Sequence, residues 1–102
     1  MFILKKGFTP DEFSIQIESW ADDRHGFSAL YPYTIGAYPK GKWRCSFRAD
    51  CNFKTLEEAE KAFAALCEGA ATVFDYGFTA MIPGGRRVPI EEKIKRETAP
   101  HC

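Results

Sequence analysis

Alternation of apolar and polar positions dominates the early chain. In "FSIQIESW", Phe13, Ile15 and Ile17 interleave with Ser14, Gln16 and Glu18, the period-two pattern of a half-buried strand. The preceding "TPDEF" carries the residue types of a helix start, with Thr9 at the cap, Pro10 after it and Glu12 in the first turn. Helical spacing also links Phe13, Ile17 and Trp20. Two isoleucines and two aromatics within eight residues nevertheless favour the strand. Residues 2–4 predict a short first strand, and "ADDRHG" after Trp20 has the composition of a turn.

Residues 27–38, "FSALYPYTIGAY", contain no charge, and their odd positions, Phe27, Ala29, Tyr31, Tyr33, Ile35 and Ala37, form an inner face. Pro32 cannot donate to a ladder, so the strand either lies at an edge or is broken there. "PKG" at 39–41 predicts a hairpin turn whose second arm starts at Lys42. In that arm Trp43, Cys45 and Phe47 turn towards the core, while Lys42, Arg44, Ser46 and Arg48 turn outward.

A helix follows. Thr55 with Glu58 three residues on makes a capping box, and Glu57 and Glu58 suit the positive end of the helix dipole. Leu56, Ala59, Phe63, Leu66, Cys67 and Ala70 then fall on one stripe, with Gly69 placed to end the helix. "FTAMIPGGRRVPI" predicts two short strands around Pro83, Gly84 and Gly85, "EEKIKRE" a brief helix, and "TAPHC" a frayed end. The order β-β-β-β-α-β-β predicts an α+β class: one compact domain over residues 1–97 and a frayed tail at 98–102. Its antiparallel sheet has about four to six strands, with one main helix on one face.

Composition narrows the functional classes. A chain of 102 residues with 45% hydrophobic content and nine Phe can bury one core unaided. Basic and acidic residues number 14 each, so there is no global pull towards nucleic acid or an anionic membrane. Three apolar residues before Lys5 and Lys6 reverse the order of a secretory signal, and no apolar run is long enough to cross a bilayer. The expectation is a soluble cytoplasmic protein in which Cys45, Cys51, Cys67 and Cys102 are reduced thiols.

The neutral total hides a pattern. Residues 39–54 hold five basic side chains (Lys40, Lys42, Arg44, Arg48, Lys54) against Asp50, and residues 55–78 hold Lys61 against five acidic ones. The predicted molecule is bipolar, with a basic sheet face and an acidic helix face. Solvated faces are ordinarily charged, which is the plain explanation. The functional one is a docking surface for an acidic macromolecule, centred on Lys42, Arg44 and Arg48, with Tyr38 beside them and Arg86 and Arg87 extending it. Trp20, Tyr31, Tyr33, Tyr38 and Tyr76 supply interface-type aromatics.

Three other chemistries compete with that surface. Zinc sites pair ligands two to four residues apart, whereas Cys45 and Cys51 are wider spaced, Cys45 and Cys67 fall on core faces, and His101–Cys102 sit at the tail. No metal or other cofactor is expected. Asp22, Asp23, Arg24 and His25 place acid–base groups in one turn, without the supporting shell that catalysis needs, so no catalytic residue is assigned and no enzyme is expected. Nucleic-acid recognition has a sequence counterpart. "W-R-C-S-F-R … F-K-T-L-E-E-A-E-K-A-F" resembles the Trp strand and F-x-T-x-x-E-A helix of the DNA-binding arm domains of phage-type integrases. That resemblance implies a three-stranded sheet backed by one helix, with Arg44 and Arg48 reading the major groove. The neutral total and the short interval from Trp43 to Phe53 depart from that family.

The expectation is a non-enzymatic binding module that docks on a macromolecular partner, a protein complex first and nucleic acid as the alternative. In size and character, though in no motif, the chain is comparable to small phage and mobile-element accessory proteins, anti-CRISPR inhibitors among them.

Overall fold

The computed structural model describes residues 1–21, 30–43 and 46–98, with the side chains of Lys42 and Thr98 left out. Residues 22–26 of the turn expected at "ADDRHG", Phe27 and Ala29 of the inner face, Arg44, Cys45 and the terminal "APHC" lie outside the described residues.

Six strands form one antiparallel sheet in chain order: β1 (Phe2–Phe8), β2 (Phe13–Ser19), β3 (Tyr33–Pro39), β4 (Ala49–Phe53), β5 (Thr79–Met81) and β6 (Arg87–Pro89). Helix α1 (Leu56–Glu68) connects β4 to β5, and α2 (Ile90–Thr98) follows β6. The α+β architecture expected from the sequence, with one main helix packed on an antiparallel sheet, is present.

The alternation in β2 decides the layering. Phe13, Ile15 and Ile17 are buried, as are Ile35 and Ala37 of β3 and Ala49 of β4, and these pair across the strands onto one face. Ala59, Ala62, Phe63 and Leu66 of α1 and Ile90 of α2 join the same hydrophobic cluster, so both helices serve that face. Removing apolar side chains from water, at about 25 cal/mol per Å², is the dominant stabilisation of such a two-layer fold.

The helix-start residues before β2 build a hairpin turn instead. Glu12 N–H donates to the Thr9 carbonyl at 3.1 Å, and Thr9 N–H to the Phe13 carbonyl at 2.8 Å. Phe13 N–H donates to Thr9 Oγ1 at 3.0 Å. Glu12 takes the left-handed conformation, φ 67°, that closes this kind of turn. Thr9 and Pro10 favour helix caps and turns for the same reasons, a side-chain acceptor and a fixed φ.

Of the two outcomes open at Pro32, the break is realised: β3 starts at the next residue and lies inside the sheet. The following arm differs from its prediction. Lys42 does not open a strand; Gly41–Trp43 is a short 3-10 turn, and β4 starts only at Ala49. Trp43 explains the delay. Its ring stacks 5.1 Å from Phe13 and 6.1 Å from Phe74, and Nε1 donates to the Asp11 carbonyl at 2.6 Å. The anchored indole draws the chain across the sheet end before pairing resumes at Ala37 and Ala49. Trp43 and Phe47 still pack against the core, from irregular backbone.

Helix α1 begins at its predicted cap, with Glu58 N–H donating to Thr55 Oγ1 at 3.2 Å. It ends at Gly69, whose φ of 79° suits a residue without Cβ and whose N–H meets the Ala65 and Leu66 carbonyls. Ala70 therefore leaves the predicted stripe and is exposed, while Ala62 joins it. The β5–β6 hairpin and the final helix stand where the sequence placed them. No helix among the described residues is long and apolar enough to cross a membrane.

Candidate functional site

Parity sends Ser14, Gln16 and Glu18 of β2, Thr34, Gly36 and Tyr38 of β3, and Asp50 and Asn52 of β4 to the face opposite the helices. Glu18 lies at its centre and is fully buried. Arg48, just before β4, reaches across β3 to grip it in two places: Nη1 donates to Oε2 at 2.6 Å and Nη2 to Oε1 at 2.8 Å. Gln16 Nε2 donates to the same carboxylate at 2.6 Å, and Arg48 Nη1 also donates to Tyr38 Oη at 2.8 Å.

Gly36 makes this crossing feasible. A Cβ there would stand 2.7 Å from Arg48 Nη1 and 3.0 Å from Glu18 Oε2, so a methyl group would have to displace the ion pair. The array continues sideways. Asp50 accepts from Arg48 Nε at 3.4 Å and from Arg87 Nη2 at 2.6 Å. Arg87 Nε in turn donates to Thr79 Oγ1 at 3.0 Å, and Thr34 Oγ1 to Asn52 Oδ1 at 2.8 Å.

These contacts set the protonation states. Burial pushes the Glu18 carboxyl up, but hydrogen bonds from Arg48 and Gln16 and the Arg48 charge outweigh it and hold the group below its ordinary value. The hydrogen bond to Glu18 outweighs burial at Arg48 and raises its guanidinium further. Two carboxylates and two guanidinia thus neutralise one another. No buried polar side-chain atom among the described residues lacks a partner.

The predicted docking residues fare differently. Tyr38, Arg48 and Arg87 are brought into one network, and Arg86 is exposed on the adjoining β5–β6 turn. Lys42 sits in the 3-10 turn, and Arg44 is outside the described residues. Arg48, expected as an open cation, is instead committed to a buried carboxylate, because Glu18 of β2 lies on the same face just beyond the strand it crosses. Sequence reasoning missed Glu18, Gln16, Gly36 and Asp50. An isolated glycine inside an uncharged strand was the available signal, since it marks a close approach by another group.

Cys51 and Cys67 are free thiols. Burial pushes both above the ordinary cysteine value, with Asp50 adding to the effect at Cys51, so neither has the thiolate character of a nucleophile. Among the described residues no three His, Cys, Asp or Glu side chains are grouped to hold a metal ion. Asp22, Asp23, Arg24 and His25 lie outside the described residues.

A second feature lies at the sheet edge. Phe2, Ile3, Leu4 and Phe8 of β1 are exposed, Phe8 to 70% and Phe2 to 61%. Lys5 and Lys6 stand between them, and neither has a carboxylate partner among the described residues.

No protein-family model matches the chain, and neither a curated protein nor a solved structure matches it. The integrase resemblance therefore rests on its quoted residues. The fold departs from what it implied: the sheet has six strands, and Trp43 lies in a 3-10 turn.

Proposed function

We propose that the chain is a non-enzymatic binding module that docks on a protein. The observation that carries this reading is the concentration of exposed apolar side chains on one edge. Met1, Phe2, Ile3, Leu4 and Phe8 are five of the seven large exposed hydrophobics among the described residues. Exposed apolar side chains gathered on one edge strand are costly to leave in water and are characteristic of interaction sites. Nucleic-acid binding is the weaker reading, because Arg48 and Arg87 are already engaged by Glu18 and Asp50 and offer little free charge to phosphates. A single sheet with an exposed apolar edge strand suits a small accessory or inhibitory role of the phage or mobile-element type. The free thiols Cys51 and Cys67 favour the cytoplasm.

The test is capture from an extract of the native host, with and without nuclease, using the tagged wild-type chain and a Phe2→Ser/Phe8→Ser variant. The expected result is a protein retained by wild type, indifferent to nuclease and lost by the variant. Identical proteins on both baits, or retained nucleic acid that dissociates steeply with salt, would overturn the reading.

A further inference from the structure

We propose that the open edge of β1 accepts an extended acidic protein segment as an added strand; this rests on the docking function above and names its mode. β1 is outermost in the sheet, seven residues long, and only β2 pairs with it among the described residues. The opposite edge strand, β6, has three residues and offers far less. A free strand edge carries a row of unpaired N–H and C=O groups, a template for another chain.

The turn fixes which groups are free. Thr9 N–H bonds to the Phe13 carbonyl, making Thr9 and Phe13 the hydrogen-bonded pair that closes the hairpin. Alternation along the antiparallel ladder then gives Gly7 and Lys5 to β2, paired with Ile15 and Ile17. The N–H and C=O groups of Lys6 and the C=O of Phe8 consequently point away from the sheet, while the Phe8 N–H donates to the Cys67 sulfur of α1.

Charge selects the occupant. An antiparallel arrival sets one partner residue against each of Phe8, Gly7, Lys6 and Lys5, and directly opposed side chains share a face. Lys6 and Phe8 pair with Gln16 and Ser14 and so lie on the open face, whereas Lys5 lies on the helix face with Ile17. A segment reading apolar-x-acidic-acidic meets Phe8 with an apolar side chain and both lysines with carboxylates. A second copy of this chain fits poorly. The two-fold registers that overlap most of β1 oppose Lys5 with Lys5 or Lys6 with Lys6, which repel.

The experiment titrates the full chain with the synthetic peptide TVISEEVT and its charge-reversed counterpart TVISKKVT, following backbone amides by NMR. Binding of the acidic peptide alone, with the largest amide change at Lys6, is expected. Lys6→Pro removes an outward donor without touching the β2 ladder and should weaken binding about tenfold or more at an unchanged melting temperature. Lys6→Glu should do the same. The proposal fails if wild type ignores the acidic peptide at millimolar concentration, if both peptides bind alike, if Lys6→Pro binds as wild type, or if the changes map to Arg48 and Arg87. Should it fail while the Phe2→Ser/Phe8→Ser bait still loses its host protein, docking stands and strand addition is discarded.

Discussion

Glu18 shows how one position organises a face. The carboxylate is removed from water and survives as an anion because three donors and a guanidinium charge, from Arg48 and Gln16, replace its hydration. Its folded pKa lies below the ordinary value of 4.5, so the contribution to stability is complete above that value and is lost as pH falls through the folded pKa. Glu18→Gln leaves Arg48 without its main partner and should cost about 2–4 kcal/mol at pH 7, towards the lower end for a buried pair because Arg48 is partly exposed. Denaturant unfolding of both proteins from pH 7 to pH 3 should show the gap narrowing below about pH 4.5, as the wild-type carboxyl takes up a proton. A gap that stayed constant would mean that Glu18 is not held ionised by this pair. Little of this was legible in sequence. Arg48 and Glu18 are thirty residues apart, and only strand register brings them together across Gly36. Outward parity placed Arg48 on the correct face and could not say that a carboxylate two strands away on that face would claim it.

Elements were read most accurately where their chemistry is local. Both ends of α1 were set by residues within a turn of the boundary, Thr55 capping Glu58 N–H and Gly69 closing the last carbonyls. Because α1 packs on β1 to β4, its first turn is part of the tertiary structure and not a detachable end. Thr55→Ala should therefore lower stability by about 1 kcal/mol, read as a shift in urea midpoint with an unchanged m-value. A larger loss with an altered m-value would show that the cap holds more than the helix start. Misreadings arose where one local chemistry serves two structures. Thr9 and Pro10 suit a cap and a turn equally, and the αL geometry of Glu12 resolved the choice. The late start of β4 has a different origin. Trp43 alternates correctly for a strand, but its contacts with Phe13, Phe74 and the Asp11 carbonyl are long-range and outweigh local pairing.

At the scale of the molecule, a sheet with helices on one face was legible because periods of two and 3.6 occupy separate segments. The expected basic sheet face is not what the placed side chains make, because Glu18 and Asp50 match Arg48 and Arg87 there. The open face is a self-neutralising network that fixes register across β2, β3 and β4, and the unsatisfied surface lies at β1. That edge was predicted as three residues and is seven, because its Lys-Lys-Gly centre lacks an apolar pattern and is held in the sheet by β2. Hydrogen–deuterium exchange on the complex with the captured host protein tests the central claim most directly. Docking at the β1 edge predicts that the Lys6 amide, open in the free chain, becomes protected, while the Arg48–Arg87 face exchanges as before. Protection confined to that face, with β1 unchanged, would contradict it.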